Sequence, residues 1–225
     1  MKIAVIGTGM VGQSLAGRLS ELGHDVIVGT RDVDATLARS TPDAMGNPPF
    51  SQWLATQPSV TVASVPDAAV GADVVVNATS GSASLAALEA AREHLAGTVL
   101  IDIANPLDFS QGMPPTLFVK DTDSLGEQIQ SAFPDAKVVK ALNTMTAPLM
   151  VNPGLLTAAD HSVFVAGNDA EAKTLVVSLL ESFGHTDVLD LGDITAARGT
   201  EMVLPIWLRL MGALGTHMFQ LKIVR

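Results

Sequence analysis

The chain has 225 residues, 48% of them hydrophobic, and a formal net charge of −10. It contains no cysteine, which excludes disulfides, thiolate catalysis and cysteine-ligated zinc or iron–sulfur centres, and is the usage expected of a cytoplasmic protein. The acidic balance, with no basic run, argues against a nucleic-acid partner, and the apolar content suffices for one sizeable core.

Residues 2–6, Lys-Ile-Ala-Val-Ile, form a short apolar run that ends at a glycine. This predicts a buried strand leading into a turn, not a signal peptide. Over 10–22, Val11, Leu15 and Leu19 share one helical face and Gly23 stops the helix. Residues 25–28 predict a second strand, completing a βαβ unit. A helical turn over 35–38 precedes a loop rich in Pro and Gly over 41–49. Strands follow over 60–63 and 72–78, then a helix over 84–95, a strand over 98–103, a helix over 124–133 and a sixth strand over 136–141. Apolar runs alternating with helices predict a parallel sheet covered on both faces. The expected fold class is therefore α/β, with a Rossmann-type doubly wound sheet over residues 1–143.

Pro148 and Pro153 break this rhythm between 143 and 154. Residues 144–225 are expected to form a smaller C-terminal α/β domain that closes a cleft or dimerises. It would hold a strand over 162–166, a helix over 170–183, a strand over 188–191 and a long apolar helix from about residue 200. Pro205, Arg209 and His217 interrupt the apolar stretch 202–221, which falls short of a membrane span. Leu204, Trp207, Leu208, Met211, Leu214 and Met218 recur at helical spacing, predicting burial in the core, a pocket lining or a homodimer contact.

Gly7-Thr8-Gly9-Met10-Val11-Gly12 fits G-x-G-x-x-G directly after a strand and at the start of a helix, the context that pattern requires. Gly7 permits the tight turn, Gly9 lets a pyrophosphate approach the backbone, and Gly12 allows close helix–strand packing. The free N–H groups and dipole of the helix start hold the anion. The second strand ends Val28-Gly29-Thr30-Arg31, where an NAD site would carry an acid. A hydroxyl followed by a guanidinium suits the 2′-phosphate of NADP. Asp32 and Asp34 follow at once, so a shift of one residue would set Asp32 on an NAD ribose instead. Arg31 also stands where an ordinary surface arginine would.

These residues, together with Val138-Val139-Lys140-Ala141-Leu142-Asn143-Thr144-Met145, resemble the coenzyme F420-dependent NADP reductase family. The segments 162–168 and 190–198 and the apolar tail resemble that family's small second domain, so the resemblance spans the chain. It implies NADP on the Rossmann domain, the deazaflavin F420 over the nicotinamide, and direct passage of a hydride between the rings. It further implies that Thr8, Thr30 and Arg31 contact the 2′-phosphate and that Met10 and Val11 open the phosphate-binding helix. Ala78-Thr79-Ser80 and Ala104-Asn105-Pro106 would border the ribose and nicotinamide, with Asn143 and Met145 beside the reacting rings as substrate-binding residues. Archaeal members carry a basic residue, a histidine and a branched aliphatic where this chain has Asp32, Asn143 and Met145. Similar domains attached to membrane haem proteins use a flavin, which leaves the co-substrate open between F420 and a flavin.

Transfer between rings asks for alignment more than for an acid or base, so no catalytic acid–base residue is expected. The chain has no tyrosine, which excludes a Tyr-x-x-x-Lys dehydrogenase, and its histidines lack metal-ligand spacing, so no metal site is expected either. Lys140 is expected to end a strand with its head in water. His24 and His94 read as structural or solvated, His161 and His185 as loop residues, and His217 as a core histidine. The function expected is that of a soluble, homodimeric NADP-dependent oxidoreductase with a small-molecule co-substrate. The alternatives are a non-catalytic NADP-binding redox sensor and a reductase of a small carbonyl or imine.

Overall fold

A computed structural model describes residues 1–42, 46–157 and 160–225; part of the expected loop over 41–49 lies outside them. The first strand, β1 (Lys2–Ile6), leads through the glycine turn into α1 (Met10–Glu21), which buries Leu15, Ala16 and Leu19. β2 (Asp25–Thr30) follows, then α2 (Val33–Ala38) and α3 (Phe50–Leu54). The alternation continues with β3 (Val60–Ser64), α4 (Val65–Ala69), β4 (Val74–Asn77), α5 (Gly81–Glu89) and β5 (Val99–Asp102). A small hairpin of β6 (Leu107–Asp108) and β7 (Thr116–Leu117) precedes α6 (Leu125–Ala132) and β8 (Lys137–Ala141). Beyond lie α7 (Ala147–Val151), β9 (Ser162–Gly167), α8 (Ala170–Phe183), β10 (Asp187–Asp190), α9 (Ala197–Met202) and α10 (Leu204–Leu214).

Eight strands form one sheet in the order β10-β9-β8-β5-β4-β1-β2-β3. The run β3-β2-β1-β4-β5-β8 is wholly parallel and has the doubly wound strand order of a dinucleotide-binding fold. β9 pairs antiparallel with β8, and β10 runs parallel to β9, so the last two strands oppose the other six within the same sheet. The apolar core lies on both faces. One cluster joins Leu15 and Leu19 of α1 to Leu149 of α7 and to Val176 and Leu180 of α8. The other joins Ala68 of α4, Leu88 of α5, Ile129 of α6 and Ala197 of α9. Each fully buried Leu, Ile or Val side chain contributes about 1.5–3 kcal/mol, which is why the central strands read as unbroken apolar runs.

Several elements depart from expectation. The helix expected over 84–95 is α5 followed by a separate 3₁₀ turn at Arg92–His94. The hairpin and the short helices α3, α4 and α7 were not legible, since none carries a full turn of apolar periodicity. The tail helix comes in two pieces, α9 and α10, and ends at Gly215 with a left-handed φ of +66°. The remaining residues turn back over the start of β9: Ser162 N donates to Leu221 O at 3.0 Å, and Ile223 N to Ser162 Oγ at 2.9 Å. His217 is exposed in this return rather than sitting in the core. Of α10, Leu204 and Trp207 are buried, while Ile206 and Leu214 face outward at 58% and 56% exposure. Among the described residues no helix is long and apolar enough to cross a membrane.

Candidate dinucleotide cleft

The strand order reverses between β1 and β4, and their carboxyl ends open a crevice where doubly wound folds bind ligands. Gly7 sits there with φ +128°, and a Cβ on it would lie 2.5 Å from the carbonyl oxygen of Ala78. A Cβ on Gly12 would lie 2.0 Å from the carbonyl oxygen of Gly7. Both must be glycine for the fold to close. Gly9 differs: a Cβ there would meet nothing within 4 Å, so the protein itself does not require glycine at this position. The space over Gly9 has the form of a cradle for a ligand that approaches the backbone, and it sits at the N-cap of α1, where unpaired N–H groups favour an anion. Gln13 Nε2 donates to Thr8 O at 2.9 Å and pins the turn.

From this turn a cleft of about 400 Å³ runs along the end of β2, lined by Thr8, Gly9, Thr30, Arg31, Thr36 and Arg39 among others. The Thr30 hydroxyl is buried and bonded to that of Thr36 at 2.7 Å. The carboxylate of Asp32 accepts from Ala35 N at 2.8 Å and caps α2. That role gives an acid at position 32 a purpose other than holding a ribose. Arg39 was missed in the sequence because α2 intervenes between it and Arg31; the helix returns its C-cap residue to the same end of the cleft. Neither guanidinium has an ion-pair partner among the described residues, so two cations face one open space.

Ala78, Thr79 and Ser80 also floor a second space of about 270 Å³, walled by Val11, Ile103, Asn105, Phe109, Met145 and Met150. Among the described residues, none that lines it is ionisable. Asn105 is held from behind by Asn143, which is only 2% exposed and lines neither part of the cleft. Met145 reaches the cleft as expected, joined by Met150 and by Phe109 of the hairpin, neither of which carried a sequence signal. Met10 is exposed, and Pro106 acts through its carbonyl, which accepts from Phe118 N at 2.9 Å to anchor the hairpin. Gly81 lets α5 approach closely, since a Cβ there would lie 2.0 Å from Asn105 O.

Lys140 overturns its expected place in water. Its side chain is fully buried, and Nζ donates to Asp102 Oδ2 at 2.7 Å and to Ala104 O at 2.5 Å. Glu201 Oε1 of α9 lies 2.8 Å from the same Nζ. Burial alone would lower the Lys140 pKa, but the two carboxylates outweigh it and the net direction is up. The ammonium is therefore a structural charge rather than a base. The Glu201 carboxylate also accepts from Leu125 N at 2.9 Å and Gly126 N at 3.0 Å. Asp102 Oδ1 accepts from Asn77 Nδ2 at 2.8 Å, and Asn77 Oδ1 in turn accepts from Thr79 Oγ1 at 2.7 Å. His161 and His185 are likewise buried, at 5% and 2% exposure, with their rings edge to face at 5.6 Å.

Residues 2–106 match the family model described as NADP oxidoreductase, coenzyme F420-dependent. A crystal structure of a candidate F420-dependent NADP reductase from Arthrobacter sp. FB24 is 63% identical and superposes with a TM-score of 0.95, each chain covered in full. The F420-dependent NADP reductase of Methanocaldococcus jannaschii is 27% identical over 212 residues, which cover 93% of this chain and 92% of that protein. The metalloreductase STEAP3 of Rattus norvegicus is 28% identical over 92% of this chain but only 38% of its own length. A reductive aminase from Aspergillus terreus, solved with NADPH, shares the fold at 16% identity and a TM-score of 0.63. By this full-length similarity, and by the glycine turn and cleft it shares with a dinucleotide-binding fold, the chain belongs to the coenzyme F420-dependent NADP oxidoreductase family.

Proposed function

We propose that the chain moves a hydride directly between NADP(H) and a planar ring co-substrate, coenzyme F420 or a flavin-like molecule. The observation that carries this reading is the continuity of the cleft. A part with two cations and a glycine cradle shares its floor with a part lined by Phe109, Met145, Met150 and neutral polar groups, without ionisable groups among the described residues. The first part fits the residues to the group: Arg31 and Arg39 offer planar donor forks to a 2′-phosphate, and the turn at Gly9 admits the pyrophosphate. Bound NADP(H) supplies the hydride-carrying nicotinamide, and the floor Ala78–Ser80 directs that end toward Asn105, Phe109 and Met145. Those side chains exclude water and align flat rings, which suits a transfer that needs positioning rather than a proton donor. The same lack of an ionisable group weighs against reduction of a small carbonyl or imine, where a proton must be delivered as the hydride arrives.

We further propose that residues 144–225 act as a unit that walls the co-substrate side, and that a second copy covers the outward apolar face of α10, making a cytoplasmic homodimer. Ile206 and Leu214 support the dimer, and a monomer mass in sedimentation at micromolar concentration would remove it.

The decisive assay follows NADPH absorbance with F420, FMN, FAD or no acceptor, each repeated with NADH. Rapid oxidation with F420 is the expected result. Oxidation with flavins alone keeps the chemistry and changes the co-substrate. Tight NADPH binding without turnover leaves a cofactor sensor in its place.

A further inference from the structure

We infer that Glu201 is a positioning residue for hydride transfer: through Lys140 it fixes the Ala104–Pro106 loop that walls the nicotinamide side of the cleft. The inference rests on the proposed placement of the nicotinamide there.

The chain of contacts is continuous and buried. Glu201 holds Lys140 at 2.8 Å, and Lys140 holds Ala104 O at 2.5 Å and Asp102 at 2.7 Å. Asp102 then accepts from Ala104 N at 3.2 Å and from Asn77 at 2.8 Å. Both backbone polar atoms of Ala104 are thereby tied to this network, and Ala104 and Asn105 both line the cleft. From Asn77 the bonds run on to Thr79, part of the shared floor. Lys140 donates to Asp102 and to Ala104 O while the Glu201 carboxylate pairs with the same ammonium, so the buried head is held from three sides and transmits its position.

A buried group of one cation and two carboxylates is a poor way to gain stability, because desolvation offsets the attraction. An apolar set would fill the same volume at less cost. What the charged set supplies is definition: the loop beside the nicotinamide is held by directed bonds, not by packing alone. Gly126 shows how closely the parts are fitted, for a Cβ there would lie 3.0 Å from Ala197 Cβ and 3.7 Å from Lys140 Cδ. Thr30 and Arg31, at the proposed adenosine end, lie across the floor, and among the described residues neither side chain shares a hydrogen bond with this network.

The test compares wild type, Glu201→Gln and Glu201→Asp in the full chain. Adenosine 2′,5′-bisphosphate, which lacks the nicotinamide, reports the adenosine end by calorimetry. NADPH emission in the binary complex reports the nicotinamide environment, and kcat with the acceptor reports alignment. Glu201→Gln is expected to bind the bisphosphate as wild type does. It should lose about tenfold or more in kcat and shift the NADPH emission toward that of free cofactor, with partial recovery in Glu201→Asp. Wild-type kcat and emission in Glu201→Gln overturn the inference. So does a parallel loss of bisphosphate binding, which would mark Glu201 as generally structural. If Glu201→Gln does not fold, the same two readings are taken on Glu201→Asp alone, with wild-type values again overturning the inference. If wild type binds NADPH yet turns over with no acceptor, the proposed reaction fails, and the emission comparison alone decides the positioning role.

Discussion

Asn105 and Asn143 exchange hydrogen bonds across the ends of β5 and β8: Asn143 Nδ2 donates to Asn105 Oδ1 at 3.0 Å, and Asn105 Nδ2 donates to the carbonyl of Asn143 at 2.8 Å. One carboxamide lines the cleft and the other is buried behind it. Replacing Asn143 by alanine removes the donor to Asn105 Oδ1 and leaves the carboxamide its bond to the backbone carbonyl of residue 143, a looser hold. Such a loss costs about 1–3 kcal/mol, visible as a lower denaturation midpoint. The kcat should fall further than the affinity for adenosine 2′,5′-bisphosphate, and equal loss in both would contradict the supporting role.

The three glycines of the turn separate folding from binding. Gly12→Ala forces a methyl against Gly7 O and should lower the melting temperature markedly. Gly9→Ala meets no protein atom within 4 Å, so its melting temperature should stay close to wild type. Its methyl would nevertheless occupy the space proposed for the pyrophosphate, and NADPH affinity should drop tenfold or more, on the order of one lost charge-assisted bond. A Gly9→Ala protein that binds NADPH normally would show that the cradle holds something else.

Two guanidiniums line the end of the cleft proposed for the adenosine 2′-phosphate, which would give cofactor preference two sources. Arg31→Ala should weaken NADPH by about tenfold or more while leaving NADH nearly unaffected, since a charge-assisted bond contributes about 1.5–3 kcal/mol. Arg39→Ala should act in the same direction, and the double variant should approach parity between the cofactors. Steady-state KM for each cofactor checks this; equal losses toward NADH and NADPH would detach both arginines from the 2′-phosphate.

Acid should weaken the fold through the histidine pair. Burial lowers the pKa of His185, against a hydrogen bond to Met150 O that raises it, and burial likewise lowers that of His161, against Asp160. A histidine kept neutral in the fold but free to protonate when unfolded costs nothing above the ordinary pKa of about 6.5. Below that value the unfolded state binds the extra proton, and stability falls by up to about 1.4 kcal/mol per pH unit for each such histidine. Denaturation midpoints between pH 7 and 5 should therefore drop, and His185→Gln should flatten the slope. An unchanged slope would mean that the pair carries no pH dependence.

What could be read from the chain and what could not divide along sequence distance. Gly7 to Gly12, Thr30 and Arg31 are legible because each sits at a strand end recognisable from its neighbours, and the apolar runs mark the strands that the sheet buries. Lys140 was misread because its partners stand 38 and 61 positions away, at Asp102 and Glu201, and a lone lysine at a strand end ordinarily reaches water. Asn143 occupies the expected loop but is buried there and bonded to Asn105, following Leu142 at a left-handed φ of +59° that the sequence did not signal. Phe109 reaches the cleft only through a hairpin whose strands are two residues each, too short to leave a period in the sequence. Arg39 depended on a helix of six residues that carries it around.

The reversal of β9 has a consequence for how such a protein can diversify. Parallel neighbours must be joined by a crossover that spans the sheet from one edge to the other. β8 and β9 are antiparallel, with Ala141 opposite Val165, so the connection between them begins and ends on the ligand edge. Asn143, Met145, α7 and Met150 all belong to that connection. Its length is free of the crossover demand that the parallel links in the sheet must meet, while Leu149 of α7 ties it to the core cluster of α1, and loops so released are where new specificity is commonly written. The part of the chain proposed to face the co-substrate is thus one whose length could change without altering the direction of any strand.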